Sequence, residues 1–220
     1  MDKNKLVIAL PKGRLGEEAL GILKETGLPV DGVEVESRML QFEVEGVRYI
    51  ICKPTDVPIF VEHGVADIGI VGKDTIEEEK RDVFELLDLG FGKCHFSVAL
   101  PKVLAEQYGT PFPLYQFNHK RVATKFINVA EEFFAGEGLQ MELIKLHGNV
   151  ELAATIGLAD MIVDIVSTGT TLRENGLVEV KEIFQASARL IANRVSYRVK
   201  NEQLYKLAED IKKILNKRGK

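Results

Sequence analysis

The apolar run Met161-Ile162-Val163 passes directly into Asp164-Ile165-Val166-Ser167-Thr168-Gly169-Thr170-Thr171, and this junction constrains the fold more than any other stretch of the chain. An apolar segment of strand length that turns on a glycine and opens a helix is the strand-turn-helix joint of α/β proteins. Gly169 permits a tight turn, the first free amides of the following helix point outward, and Ser/Thr hydroxyls surround the same spot, so the joint suits an anion. Asp164, at the strand end, can accept hydrogen bonds from neutral hydroxyls beside it. A carboxylate next to a phosphate nest fits a sugar phosphate; a Thr-rich helix cap is the other reading these residues allow.

The same alternation recurs along the chain. Lys5 to Leu10 reads as a buried strand ended by Pro11, and Leu15, Ala19, Ile22 and Leu23 follow at helical spacing until Gly27. Met39 to Val44 and Val47 to Cys52 flank the turn pair Glu45-Gly46; Asp56 to Glu62 reads as a helix and Asp67 to Val71 as a strand. Phe84 to Leu89 and Phe96 to Leu100, around Gly90-Phe91-Gly92, read as a crossing into a second domain. There the pattern restarts, with strands over 121–124, 139–146 and 161–166 and helices over 128–135 and 150–156. The segments 178–186 and 189–195 carry the chain back, and Leu204, Leu207, Ile211 and Leu215 form the apolar stripe of a docked C-terminal helix. The expected fold is α/β, in two lobes with a cleft between them: residues 1–92 plus 179–220, and residues 93–178. Strands alternating with helices predict parallel sheets, with ligands at the strand C-termini.

Composition narrows the function classes. A chain of 220 residues with 45% hydrophobic content can bury a sizeable core. Its 29 basic and 33 acidic residues are well mixed, leaving a net charge of −4 and no basic stripe for nucleic acid. Cys52 and Cys94 are too few for a disulfide framework, and no apolar run reaches membrane-spanning or signal-peptide length, so a reduced, cytoplasmic protein with no membrane contact is expected. His63, His95, His119 and His147 show no metal-ligand spacing, and no Ser-His-Asp or Cys-His set is legible.

Lys12-Gly13-Arg14 brackets a glycine with cations where the first strand gives way to the first helix, which places charges and free amides together for an anion; a solvated surface pair accounts for the same residues equally well. Arg38, ahead of the Glu45-Gly46 hairpin, is either a second anion contact or a surface charge. Glu151 opens a helix, where the macrodipole alone favours a carboxylate, or it assists Asp164. Lys53, Asp56, Lys73, Asp74 and Lys125 fall at strand-to-helix junctions and stay outside the catalytic set.

A longer frame surrounds the opening segment. Glu151, five residues, Gly157, one residue, Ala159, two residues, Ile162, one residue, Asp164-Ile165, two residues, Thr168-Gly169, one residue, Thr171-Leu172 resembles the signature of the ATP phosphoribosyltransferase family. Leu10-Pro11-Lys12-Gly13-Arg14, Asp56-Val57-Pro58, Val61-Glu62-His63-Gly64, Ala66-Asp67-Ile68-Gly69, Val71-Gly72-Lys73-Asp74 and Arg189-Leu190-Ile191 extend the resemblance over the chain. It implies two lobes similar to periplasmic solute-binding proteins and a reaction of ATP with phosphoribosyl pyrophosphate (PRPP) that opens histidine biosynthesis. PRPP would lie against Glu151, Asp164, Ser167, Thr168, Gly169, Thr170 and Thr171. ATP or pyrophosphate would lie against Lys12, Gly13, Arg14 and Arg38, with Arg14 and Arg38 catalytic and Mg2+ carried by PRPP or pyrophosphate rather than by the protein. The chain stops at Lys220, which resembles the short form of the family, lacking a regulatory C-terminal domain. That form implies a homodimer and association with a subunit similar to histidyl-tRNA synthetase. A solute-binding protein, a nucleotide-binding regulatory module and a phosphoribosyltransferase with another acceptor base are the competing expectations. The missing export signal and the Asp-to-Thr loop weigh against the first, consumption of PRPP separates the second, and only the full-length resemblance excludes the third.

Overall fold

The computed structural model describes residues 5–218. Two compact units are present, one taking the chain up to Gly92 and again from Ser187, the other spanning Lys93–Ala186. In chain order the first unit contains β1 (Leu6–Pro11), α1 (Arg14–Glu25), β2 (Gln41–Val44), β3 (Val47–Cys52), α2 (Val57–Glu62), β4 (Ile68–Gly72), α3 (Lys73–Glu79) and β5 (Phe84–Asp88). The second contains β6 (Cys94–Pro101), α4 (Lys102–Tyr108), β7 (Arg121–Thr124), α5 (Ile127–Gly136), β8 (Glu142–Lys145), α6 (Val150–Thr155), β9 (Met161–Val166), α7 (Thr170–Glu174) and β10 (Leu177–Ala186). The chain then returns through β11 (Ala188–Ala192), α8 (Arg194–Val199) and α9 (Asn201–Arg218). Among the described residues no helix is long and apolar enough to cross a membrane.

The first sheet runs β2-β3-β1-β4-β11-β5 and the second β10-β6-β9-β7-β8. The parallel pairs are β1 with β3 and β4 in the middle of the first sheet, and β7 with β8 and β9 at one end of the second. The expected parallel sheets hold only in part, because β2, β5, β6, β10 and β11 pair antiparallel, the β2–β3 pair as the hairpin expected at Glu45-Gly46. Physically, a parallel neighbour needs a crossover helix, and the Glu45-Gly46 hairpin between β2 and β3 supplies none. The expected return at residue 179 moves to Ser187, because β10 pairs with β6 from Leu177↔Pro101 to Ala186↔Cys94 and belongs to the second sheet for its whole length.

In the first unit Leu6, Ile8 and Leu10 of β1, Ala19, Ile22 and Leu23 of α1, and Leu204, Leu207 and Ile211 of α9 share one core. The apolar stripe of the last helix therefore buries as its spacing requires, each aliphatic side chain contributing roughly 1.5–3 kcal/mol. Asp67, just ahead of β4, anchors the return: its carboxylate accepts from Val7 N (2.8 Å), Ser196 Oγ (2.7 Å) and Lys200 Nζ (2.7 Å). Gly16 brings α1 close against β1, since a Cβ there would lie 1.9 Å from the Pro11 carbonyl oxygen. In the second unit β9 alternates its faces. Met161 and Val163 enter a core with Phe96, Phe126 and Phe134, and Ile162 and Val166 one with Ala153, Ala154 and Leu172. That second layer seats α6 and α7 at the end of β9.

Candidate active site

The Asp164-to-Thr171 segment forms the expected joint. β9 ends at Val166, the chain turns through Ser167, Thr168 and Gly169, and α7 begins at Thr170. Gly169 stands at φ 68°, in the left-handed region that disfavours a side chain. α7 has five residues, so little macrodipole accumulates, and the polar character of the turn comes from its free amides and hydroxyls. The turn is tied internally: Thr168 Oγ1 and Thr170 Oγ1 lie 3.1 Å apart, and the Arg173 guanidinium donates to the Thr168 carbonyl at 2.9 Å and to Thr170 Oγ1 at 3.0 Å.

Glu151, Asp164, Ser167, Thr168, Gly169, Thr170 and Thr171 line one concavity of about 210 Å³ within the second unit. The structure thus brings together all seven residues expected around a sugar phosphate. Glu151 occupies the first turn of α6. Asp164 is half-buried, with Oδ1 accepting from Ile165 N at 2.8 Å. Burial pushes its carboxyl up to about 6; the Ile165 amide pulls downward, the Glu151 charge adds to the rise, and Lys125 opposes it. A carboxylate poised in this way is a strong acceptor for sugar hydroxyls that replace its lost hydration.

The other expected group lies in the first unit. Gly13 precedes α1, and its N–H donates to Glu36 Oε1 at 2.7 Å, while Lys12 Nζ donates to the Ser37 carbonyl at 3.3 Å. Arg14 is exposed and paired with Glu18 at 3.3 Å, and Arg38 is exposed beside Ser37. Lys12, Gly13 and the 36–38 segment therefore meet at the start of α1, with a carboxylate already seated on one of the amides an anion would use.

Sequence reading missed two contributors. Arg173 reaches the loop from one turn along α7, a position whose spacing suggests it once the helix start is fixed. Glu36 comes from the irregular connection between α1 and β2 and carries no sequence signal. Lys125, kept outside the catalytic set, is exposed, stands 4.7 Å from the Phe126 ring centroid and acts electrostatically on Asp164. Cys52 is buried and its thiol is pushed up to about 12 by burial and by Asp56, which leaves it protonated and inert. Among the described residues, no three or more His, Cys, Asp or Glu side chains gather to hold a metal ion.

A carboxylate beside a turn of free amides and hydroxyls has the chemistry a sugar phosphate requires, and the comparisons with known proteins define the class as phosphoribosyl-transferring enzymes. The model of the HisG family, ATP phosphoribosyltransferase, matches residues 53–213. An ATP phosphoribosyltransferase of Moorella thermoacetica is 55% identical, covering 100% of this chain and 97% of its own length. The ATP phosphoribosyl transferase (HisG:HisZ) complex from Thermotoga maritima contains a chain 36% identical, with a TM-score of 0.80, covering 96% of this chain and 98% of that one. A histidine kinase sensor domain with similarity to periplasmic binding proteins, at 14% identity and a TM-score of 0.59 over 98% of this chain and 92% of its own, shares the fold alone. The chain belongs to the ATP phosphoribosyltransferase family. It is accordingly a glycosyltransferase acting on ATP and PRPP in the first step of histidine biosynthesis.

Proposed function

We propose that the second unit holds the phosphoribosyl end of PRPP. The observation that carries this reading is the shared concavity of Asp164, Glu151 and the 167–171 loop. Amides and hydroxyls of Ser167, Thr168, Gly169, Thr170 and Thr171 take the 5-phosphate, and Asp164 accepts hydrogen bonds from the ribose hydroxyls. The adenine N1 lone pair forms a bond to the anomeric carbon as the bond from that carbon to the pyrophosphate oxygen breaks, the electron pair leaving with pyrophosphate. The positive charge gained by the base is relieved by loss of a proton from its amino group to solvent. No protein nucleophile is required, so catalysis rests on positioning and on charge stabilisation of the leaving group. Arg14, with Lys12, the Gly13 amide and Arg38, supplies that stabilisation.

Magnesium fits this scheme as a companion of PRPP and pyrophosphate. Glu151 and Asp164 offer two carboxylates beside the sugar site, enough to orient a hydrated divalent cation and too few to bind it alone. The Thermotoga maritima relative is named as a complex with HisZ, and we carry a HisZ-type partner over to this chain; the homodimer, the cytoplasmic location, the partner's likeness to histidyl-tRNA synthetase and the action of histidine through it rest on the family resemblance alone.

Kinetics of Asp164→Asn and Thr171→Ala test the assignment. Each removes a charge-assisted hydrogen bond, which lowers kcat/KM for PRPP roughly ten- to a hundredfold and leaves ATP affinity nearly unchanged. Wild-type PRPP kinetics in both variants would return the loop to a plain helix cap.

A further inference from the structure

We propose that Arg173 is a positioning residue that holds the phosphate loop in its anion-accepting shape. Its guanidinium spans the loop, with Nη1 on the Thr168 carbonyl (2.9 Å) and Nη2 on Thr170 Oγ1 (3.0 Å), so one planar group fixes the residues on both sides of Gly169. A lysine cannot reproduce that grip, because its ammonium is a single point. A Cβ at Gly169 would lie 2.9 Å from Arg173 Nη1, the movable end of a flexible side chain, so it is the left-handed backbone at φ 68° that calls for glycine here.

The nearby Glu179 carboxylate is engaged by His95, whose Nε2 lies 2.5 Å from its Oε2. With Arg173 bonded to the Thr168 carbonyl rather than to a carboxylate, its charge remains available to a dianionic phosphate entering the turn. The two carboxylates of the concavity, Asp164 and Glu151, make that compensation necessary. Thr170 acts on both sides of the contact, accepting from Arg173 while its own hydroxyl faces Thr168 Oγ1.

The inference rests on the assignment of the 5-phosphate to this loop, and the test separates the two. PRPP affinity is measured by calorimetry, with steady-state kinetics, on the full chain carrying Arg173→Ala, Arg173→Lys, Thr170→Ala, the double variant Thr170→Ala/Arg173→Ala, and Thr171→Ala. Arg173 is exposed, so folding is unaffected and melting temperatures stay at the wild-type value. Arg173→Ala raises Kd and KM for PRPP about five- to thirtyfold, with kcat at saturating PRPP within about twofold of wild type, and Lys recovers only part of the loss. In the double variant the losses combine to clearly less than their product, because one contact is removed twice. Wild-type PRPP affinity in Arg173→Ala, with Thr171→Ala impaired, overturns the role of Arg173 and leaves the phosphate assignment standing. A loss confined to kcat, or strict multiplicativity of the two variants, also contradicts it. Unchanged affinity in Thr171→Ala as well removes the phosphate assignment and this inference together.

Discussion

Asp164 and Glu151 face the same concavity, and the Glu151 charge adds to burial in raising the Asp164 carboxyl to about 6. The chain therefore carries an electrostatic cost at the proposed PRPP site, a pattern common to sites that exchange stability for binding.

The sign of that cost fixes a pH signature. An acid whose pKa rises from 3.8 unfolded to about 6 folded contributes stability that is fully present below pH 3.8 and lost as pH rises through 6. Above that the cost is on the order of 2–3 kcal/mol at most. Asp164→Asn removes it, so the variant should melt above wild type at pH 7.5 and lose that advantage near pH 4, while its kcat/KM for PRPP falls. Thermal melts of both proteins at the two pH values decide the matter, and an equal difference at both would sever the link to titration.

Arg14 offers a contrast between surface charge and transition-state contact. Its pairing with Glu18 is exposed and contributes little to stability. Arg14→Ala should leave the melting temperature in place yet lower kcat by more than it raises either KM, because leaving-group charge grows toward the transition state. Lysine should restore it in part. Full turnover in the alanine variant would reduce Arg14 to a surface ion.

Gly16 should respond to substitution through the fold. Alanine there places Cβ at 1.9 Å from the Pro11 carbonyl oxygen, so α1 must move off β1 and carry Gly13 and Arg14 with it. We expect a loss of about 2–3 kcal/mol, by analogy with overpacked cores, and weaker ATP binding alongside it. Denaturant melts with nucleotide titration measure both; an unchanged midpoint would show that α1 shifts without cost.

Regulation should depend on the second subunit. Histidine alone should inhibit the isolated chain weakly, and inhibition should sharpen on adding the HisZ-type partner, since coupling requires a second site whose ligand distinguishes two states. Titration of histidine with and without that partner checks this, and strong inhibition of the isolated chain at the same concentrations would contradict it.

Much of this was legible in the residues because the chemistry is local. Asp164, Ser167, Thr168, Gly169, Thr170 and Thr171 lie within eight positions, and strand, turn and helix follow one another without tertiary help. Glu151 needed only the layer that packs α6 on β9. What escaped depended on distant partners. Segments 178–186 and 189–195 read alike as the path back to the first domain, and only pairing with β6 or with β4 assigns their strands to different sheets. Arg173 escaped because its contact crosses a helical turn, and Glu36 because an irregular connection delivers it to Gly13.

This chain joins the phosphoribosyl group of PRPP to ATP. The direct measurement is mass spectrometry of the nucleotide formed when the purified protein is incubated with ATP, PRPP and magnesium, with pyrophosphate quantified in parallel. ATP enlarged by one phosphoribosyl group, with one pyrophosphate per product and loss of both in Asp164→Asn, is the predicted result. PRPP left intact in the presence of ATP, or consumed only when another base is supplied, would contradict it.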